Sequence, residues 1–242
     1  MKVEVIGHRG ASSEAPENTL AANRLAFQQN ADGIEVDVRL TKDQKLVCIH
    51  DKTALRTASK ELLIKESTLT ELKSLDVGLW KDVKWKGETI PTLEEVLEEI
   101  PRNKNIFIEI KTGTESIDTL MEEIQKSKID SNCITVISFN QEDVKEVKLS
   151  MESLNVNLLI AFSGPKEIQS EEVLRKIIEF KLDGVGAENH PGLSRAFVTP
   201  IIEANKKVHV WTVDDVEQAK IYQQLGLSSI TTNVPQLIRS AL

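Results

Sequence analysis

The chain has 242 residues, with 30 Lys and Arg against 38 Asp and Glu, a formal net charge of −8 and a hydrophobic fraction of 40%. This apolar fraction excludes a disordered acidic chain, and the negative balance argues against binding to nucleic acid or to an anionic membrane. The longest unbroken apolar run, Leu158 to Phe162, is far shorter than the ~20 residues of a membrane span. No signal-peptide region follows Met1, so we expect a cytoplasmic protein without stable membrane insertion.

Short β-branched or apolar runs alternate along the chain with longer segments of helical periodicity. The predicted strands are 3–7, 33–40, 46–49, 106–110, 134–139, 158–162, 184–187, 208–213 and 229–232. The predicted helices are 18–30, 69–75, 92–100, 116–127, 141–152, 167–180, 194–206, 214–225 and 235–241. Thr92 is predicted to open a capping box, and Pro235 to be a first helical residue. This alternation predicts a largely parallel sheet.

The nine predicted strands include one that cannot be a parallel neighbour of the strand before it. Only the five residues from Thr41 to Lys45 separate strands two and three, so these two should form an antiparallel hairpin. The remaining eight strands predict an α/β fold, a (β/α)8 TIM barrel with a small insertion at about 41–91, in a single domain over 1–242. A doubly wound sheet is the alternative, but no glycine-rich dinucleotide fingerprint follows the first strand.

Polar side chains mark the carboxyl ends of several predicted strands, where barrel enzymes place their chemistry. Glu35 and Asp37 are two residues apart, as are Glu109 and Lys111, so each pair lies on one face of its strand and is expected to face the barrel lumen. The full candidate set is His8, Arg9, Glu35, Asp37, His50, Glu109, Lys111 and Trp211.

The hairpin predicts where His50 lies relative to the acidic pair. A turn centred between Asp43 and Gln44 would place Asp37 directly opposite His50 on the neighbouring strand. A slip of one or two residues in this register would move Asp37 away from His50.

The chemistry of these side chains suggests a reaction. Three carboxylates in one partly buried site need a cation or raised pKa values, and all-oxygen ligands favour one divalent cation, Mg²⁺ or Ca²⁺. Arg9 and Lys111 suit an anionic substrate, and Arg is well shaped for a phosphate. Two histidines, His8 and His50, could supply a general base and a general acid. Together these groups predict metal-assisted cleavage of a small-molecule phosphodiester.

Other polar residues are given structural roles. Asn18, in the segment Pro16-Glu17-Asn18-Thr19, is expected to belong to a turn and helix cap. His190 and His209 are expected to be a loop and a strand histidine without partners, and Glu188 is a candidate for a structural or substrate contact.

In this order and spacing, the motifs resemble the glycerophosphodiester phosphodiesterase family over residues 6 to about 233. The segments that carry the resemblance are Gly7-His8-Arg9-Gly10-Ala11, Pro16-Glu17-Asn18-Thr19, Ile34-Glu35-Val36-Asp37-Val38, Ile49-His50-Asp51, Leu75-Asp76-Val77-Gly78, Ile90-Pro91-Thr92-Leu93, Glu109-Ile110-Lys111 and Trp211-Thr212-Val213. One departure is Asn233, where the family usually has Asp; we expect it not to touch the catalytic set.

The resemblance implies a TIM barrel that hydrolyses compounds such as glycerophosphocholine or glycerophosphoethanolamine to glycerol 3-phosphate and an alcohol. His8 and His50 would be the acid/base pair. The implied metal ligands are Glu35, Asp37 and Glu109, and the implied substrate contacts are Arg9, Lys111 and Trp211. A lysophospholipase D and a catalytically silent phosphodiester-binding barrel are the alternatives, and we expect a monomer or a homodimer.

Overall fold

In the computed structural model, which describes residues 3–163 and 168–242, eight parallel strands close a barrel and a ninth strand pairs with one of them. The strands are β1 (Glu4–His8), β2 (Gly33–Leu40), β3 (Leu46–Cys48), β4 (Asn105–Ile110), β5 (Ile134–Ser138), β6 (Asn155–Ile160), β7 (Gly184–Glu188), β8 (Lys207–Trp211) and β9 (Ser229–Thr232). The barrel closes because β1 pairs in parallel with both β2 and β9. The predicted (β/α)8 barrel is confirmed.

Helices connect the strands and cover the outside of the barrel. They are α1 (Leu20–Gln28), α2 (Leu55–Ala58), α3 (Leu69–Lys73), α4 (Leu93–Glu99), α5 (Ile117–Lys126), α6 (Gln141–Ser150), α7 (Ser170–Glu179), α8 (Arg195–Glu203), α9 (Val216–Leu225) and α10 (Pro235–Ala241). Pro235 opens α10, as predicted. The helix predicted over 167–180 is observed as α7, and its predicted start at residue 167 lies outside the described residues; α2 was not predicted.

The alternation of residues along β2 divides them between two environments. Ile34, Val36 and Val38 are fully buried in the large apolar cluster between the strands and the helices, whereas Glu35 and Asp37 belong to the opposite face. A smaller apolar cluster of Ile6, Phe107, Ile137 and Leu159 lies apart from this core, with Trp211 packed against it. The barrel therefore places its acidic pair on the face away from the helices.

The hairpin of β2 and β3 explains how a residue from the insertion returns to the barrel. One edge of β2 pairs with β4 along most of its length; the other pairs first with β1, near Glu35, and then with β3, near Val38. Because β3 is antiparallel to β2, it runs back toward the carboxyl end of β1. His50 comes just after β3, separated from it only by Ile49, and so reaches the same end of the barrel as His8.

The predicted register of this hairpin is wrong by one residue. Val38 pairs with Cys48 and Leu40 with Leu46, so the Ile49 amide donates to the Asp37 carbonyl at 3.0 Å, and Asp37 lies opposite Ile49 instead of His50. The cause is a turn with an odd number of residues, in which Gln44 has a φ of 59°.

The insertion has its own apolar cluster and is fastened to the first loop of the barrel. The cluster consists of Val47, Ile49, Ala54, Ile64, Leu72, Leu75, Val77 and Ile90. Lys81 Nζ donates to the Ser12 carbonyl at 2.7 Å, and Trp85 Nε1 donates to the Glu14 carbonyl at 3.1 Å. The segment after β2 is therefore a packed unit that borders the mouth of the barrel.

None of the helices within 3–163 and 168–242 combines the length and apolarity needed to cross a membrane.

The start of α4 carries the predicted capping box. Thr92 Oγ1 accepts from the Glu95 amide at 3.1 Å, and the Thr92 amide donates to Glu95 Oε2 at 2.8 Å. We predict that Thr92→Ala lowers the free energy of unfolding by about 1 kcal/mol, because the Glu95 amide loses its hydroxyl acceptor. Denaturant titration would measure the loss. Thr92→Ser, which keeps the hydroxyl, is the control, and equal stability of the two variants would contradict the prediction.

Candidate active site

A cavity of about 320 Å³ opens at the carboxyl ends of the barrel strands, and seven of the eight predicted site residues line it. These seven are His8, Arg9, Glu35, His50, Glu109, Lys111 and Trp211. Asp37 is fully buried beside the cavity, in contact with Arg9 and Lys111. Side chains from four strands and from the insertion therefore meet at one place.

Three buried carboxylates, of Glu35, Asp37 and Glu109, form the centre of the site. One oxygen of each lies within 4.8 Å of the others. Burial, followed by the charges of the other two carboxylates, raises the pKa of Glu35 well above its ordinary value. Burial and the charge of Asp37 raise the pKa of Glu109 to about 7. Proximity and desolvation thus oppose the ionisation of two of the three groups.

Asp37 behaves differently because two cations contact it. Arg9 Nε lies 3.1 Å from Asp37 Oδ2, and Lys111 Nζ lies 3.2 Å from Asp37 Oδ1 and 2.5 Å from Glu109 Oε1. Burial alone would raise the pKa of Asp37, but Arg9 and Lys111 outweigh burial, so its pKa is below the ordinary value. Asp37 is therefore the carboxylate that stays ionised most readily.

Asn18 holds Asp37 in place from the other side. Asn18 Nδ2 donates to Asp37 Oδ2 at 2.9 Å, and the Asp37 amide donates to Asn18 Oδ1 at 3.1 Å. Asn18 thus has the structural role that was expected, but its partner was not expected. It orients the side chain of Asp37, an acidic residue of the site.

The loop after β1 brings Arg9 close to the carboxylates through an unusual backbone conformation. Arg9 has a φ of 56° and Gly10 a φ of 84°, and the Arg9 amide donates to Glu35 Oε2 at 3.0 Å. A Cβ on Gly10 would lie 2.5 Å from the carbonyl carbon of Ala22, so only glycine allows this close approach to α1. The left-handed turn directs both the amide and the guanidinium of Arg9 into the acidic cluster.

The carboxylate set fits a divalent cation. Glu35 Oε1 is buried without a hydrogen-bond partner in the part of the chain that the structure describes, although a buried carboxylate oxygen is normally satisfied. Three carboxylate oxygens in close proximity match the preference of hard cations such as Mg²⁺ and Ca²⁺ for oxygen ligands. Glu35, Asp37 and Glu109 are the residues that would hold such an ion.

The two histidines reach the cavity with different partners. His8 Nδ1 lies 2.7 Å from Asn233 Oδ1, and burial followed by the charge of Arg9 lowers the pKa of His8. His50 Nδ1 lies 2.8 Å from Asp51 Oδ1. One imidazole thus faces a neutral amide and the other a carboxylate. The expectation that Asn233 does not touch the catalytic set is wrong, because β9 is the neighbour of β1 in the barrel.

A chain of ion pairs braces the mouth of the site. Glu17 accepts from Arg9 Nη1 at 2.8 Å and from both terminal nitrogens of Arg56, also at 2.8 Å. Arg56 Nε donates in turn to Asp51 Oδ2 at 2.7 Å. Arg56, together with hydrogen bonding from His50, lowers the pKa of Asp51 to about 2 against the opposing effect of burial. This series of ion pairs connects Asp51, the partner of His50, to Arg9.

The wall and floor of the cavity are largely apolar. Trp211 packs edge-on against Phe139, with ring centroids 5.4 Å apart, and its indole Nε1 is buried without a partner among the described residues. Ile137 and Leu159 also line the cavity. The arrangement offers a hydrogen-bond donor beside apolar surface, which suits a small alcohol or a polyol carbon chain.

His209 also lines the cavity, and the expectation that it lacks partners is wrong. Its Nδ1 lies 2.8 Å from Ser229 Oγ and its Nε2 lies 2.9 Å from Thr231 Oγ1, and burial lowers its pKa to about 3. His209 is a neutral part of the floor. His190 lies outside the cavity, where Nδ1 accepts from the Gly192 amide, and Glu188 binds the amide and hydroxyl of Ser163.

Reasoning from sequence missed four residues around the site: Glu17, Asp51, Arg56 and Asn233. Glu17 and Asp51 lie inside motifs that were noted, next to predicted site residues, so their position was a usable signal. Arg56 comes from the unpredicted helix α2. Asn233 was noted as a departure from the family, but it is 225 positions from His8 in the chain, so nothing local pointed to their contact.

Comparison with known proteins places this geometry in a family context. The family model of the Glycerophosphoryl diester phosphodiesterase family matches residues 8–237. A glycerophosphodiester phosphodiesterase of Caldanaerobacter subterraneus is 35% identical, over 98% of this chain and 97% of the relative. A glycerophosphodiester phosphodiesterase of Bacillus subtilis is 30% identical, over 98% of this chain and 85% of the relative.

Solved structures share the whole fold. An Oleispira antarctica phosphodiesterase in complex with the product sn-glycerol-3-phosphate superposes with a TM-score of 0.88 at 30% identity, covering 98% of this chain and 96% of that one. The glycerophosphodiester phosphodiesterase of Thermotoga maritima superposes with a TM-score of 0.82 at 26% identity, covering 100% and 99% of the two chains.

We predict that Mg²⁺ or Ca²⁺ raises the melting temperature of the protein by several degrees and that Glu35→Gln removes this rise. Without added cation, Glu35→Gln should melt no lower than the wild type. The substitution puts a neutral amide in place of a carboxyl group whose ionisation is opposed by burial and by the neighbouring carboxylates. Thermal melts with EDTA or cation would measure both effects. Glu188→Gln, at the mouth but outside the cluster, is the control, and an undiminished cation response in Glu35→Gln would refute the assignment.

The raised pKa of Glu109 predicts a pH-dependent affinity for the cation. Below about pH 7 a proton occupies Glu109 and competes with the ion, so the affinity should rise as the pH increases through about 7. Calorimetric titration with Ca²⁺ on either side of this pH, in buffers of different ionisation enthalpy, would measure the affinity and the protons released. An affinity that does not change across this range would contradict the prediction.

Proposed function

Because the chain belongs to the glycerophosphoryl diester phosphodiesterase family, a family of phosphoric diester hydrolases, we propose that it hydrolyses glycerophosphodiesters such as glycerophosphocholine or glycerophosphoethanolamine to sn-glycerol 3-phosphate and an alcohol. The observation that carries the proposal is that three buried carboxylates, two cationic side chains and two histidines meet in or directly beside one cavity. Each group has a role in phosphodiester cleavage.

The charge of the site supports a phosphodiester substrate. With all groups ionised, the carboxylates of Glu35, Asp37 and Glu109 exceed the cations of Arg9 and Lys111 by one negative charge. A bound divalent cation reverses this to one positive charge, which a phosphodiester monoanion neutralises. When bound, the ion supplies charge that stabilises the phosphoryl oxygens. Arg9 and Lys111 add hydrogen bonds and positive charge to the same oxygens.

The histidines supply the proton transfers. His8, whose pKa is lowered by burial, is the neutral base that accepts the proton of the glycerol 2-hydroxyl as this oxygen attacks phosphorus. His50, braced by the Asp51 carboxylate, donates a proton to the departing alkoxide. Water then opens the resulting cyclic phosphate to glycerol 3-phosphate. Trp211 supports the substrate because its indole N–H can donate to a glycerol oxygen while its ring covers the carbon chain.

Release of the headgroup alcohol, choline or ethanolamine, from a panel of glycerophosphodiesters and one lysophospholipid tests the proposal, with glycerol 3-phosphate measured as the second product of the diesters. We expect turnover of the water-soluble diesters that requires a divalent cation, is lost in EDTA and falls by about 1,000-fold or more in His50→Ala, because the leaving alkoxide loses its acid. His190→Ala, outside the cavity, is the matched histidine control. Turnover of the lysophospholipid alone would indicate a lysophospholipase D, and silence with intact cation binding would indicate a binding protein.

A further inference from the structure

Asn233 is the first residue after β9, and its side chain joins three parts of the site. Asn233 Nδ2 donates to Asp214 Oδ2 at 2.6 Å, Ser12 Oγ donates to Asn233 Oδ1 at 2.8 Å, and the same oxygen lies 2.7 Å from His8 Nδ1. Both polar atoms of the amide are therefore used, and one of them faces a histidine of the cavity.

Asp214 determines which way this amide points. Its Oδ1 accepts from the Asn233 backbone amide at 2.7 Å and from Thr232 Oγ1 at 2.9 Å. A carboxylate only accepts hydrogen bonds, so the group beside Asp214 Oδ2 must be the NH₂ of Asn233, and the oxygen must face His8. An amide oxygen cannot donate, so the hydrogen in this contact belongs to His8 Nδ1.

We propose that Asn233 is a positioning residue that holds His8 in its Nδ1–H tautomer, leaving Nε2 as the nitrogen that exchanges protons in the reaction. Asp214 and Ser12 orient the amide. The inference rests on the proposed function only for the role of His8 in catalysis, since the tautomer itself is a property of the resting protein. A neutral histidine with its proton on Nε2 would present a donor where the reaction requires an acceptor.

A structural role alone would leave the tautomer unaffected. Asn233 also ties two loops together, because the Ser13 amide donates to its backbone carbonyl at 3.1 Å. That bond uses the main chain and survives any side-chain substitution, so the two roles can be separated by experiment.

Nitrogen-15 NMR of histidine-labelled protein at about pH 8 reads the tautomer directly. The chain has four histidines, so the spectrum of His8→Gln assigns the His8 signals. We expect Nδ1–H in the wild type and a changed tautomer pattern in Asn233→Leu. A wild-type His8 with its proton on Nε2, or a pattern that Asn233→Leu leaves unchanged, would overturn the inference, whichever substrate the protein turns over.

Steady-state kinetics test the consequence. Asn233→Leu should lower kcat by about 10- to 100-fold with a smaller change in KM, as for other residues that orient a reacting group. The exchange variant combines Asn233→Asp with Asp214→Asn. The carboxylate at position 233 still accepts from His8 and now also accepts from the amide at position 214, so this variant should recover most of kcat. Asn155→Leu, which loses side-chain bonds to the Asn132 and Ile134 carbonyls, is the control for general destabilisation.

Two kinetic results would overturn the inference. One is a folded Asn233→Leu variant, checked by circular dichroism, whose kcat stays within about threefold of the wild type. The other is an exchange variant that retains Nδ1–H at His8 but is as slow as Asn233→Leu. If the wild type turned over no glycerophosphodiester, the proposed function would fail while the NMR result still decided the tautomer.

Discussion

Repulsion among three buried carboxylates is the constraint on which the site depends. Glu35, Asp37 and Glu109 come from two neighbouring strands whose residues are paired directly, Asp37 with Glu109, so the barrel itself forces them together. Arg9 and Lys111 offset part of that repulsion. The left-handed backbone conformation of Arg9 brings both its amide and its guanidinium into contact with the cluster. The backbone strain at Arg9 and the unsatisfied oxygen in the acidic cluster therefore arise from the same packing of charged groups.

The histidines are brought together by strand order. Since β1 is short and β3 continues along the same edge of β2, the chain that leaves β3 returns above the end of β1. His8 then takes its hydrogen-bond partner, Asn233, from the end of β9 on the other side of β1, whereas His50 takes Asp51 from its own loop. The two imidazoles thus differ in the charge of their partners because they enter the cavity from different parts of the fold.

Sequence periodicity was sufficient for the barrel, since eight strands with helical crossovers leave few alternatives. Residue spacing also placed Glu35 with Asp37 and Glu109 with Lys111 on one face, because the side-chain period of a strand is two. The register of the hairpin could not be derived, since it depended on whether Gln44 adopts a left-handed conformation. The closed barrel implied that β1 and β9 are adjacent, but the contact between His8 and Asn233 also depends on the side-chain orientation of a residue beyond the end of β9, which residue spacing does not give.

The separate apolar cluster of the insertion has a consequence for how the protein loses activity on heating. The 41–91 segment packs Ile64, Leu72 and Val77 among themselves, and it is fastened to the barrel at Ser12 and Glu14 by hydrogen bonds from long side chains. Such a unit can open by sub-global unfolding at lower free energy than the barrel. Opening would withdraw His50 and Asp51 while Glu35, Asp37 and Glu109 stay assembled on the barrel strands. Under the proposed function, such a state would bind the cation without turning over substrate, so heat inactivation and barrel melting would be two separate events.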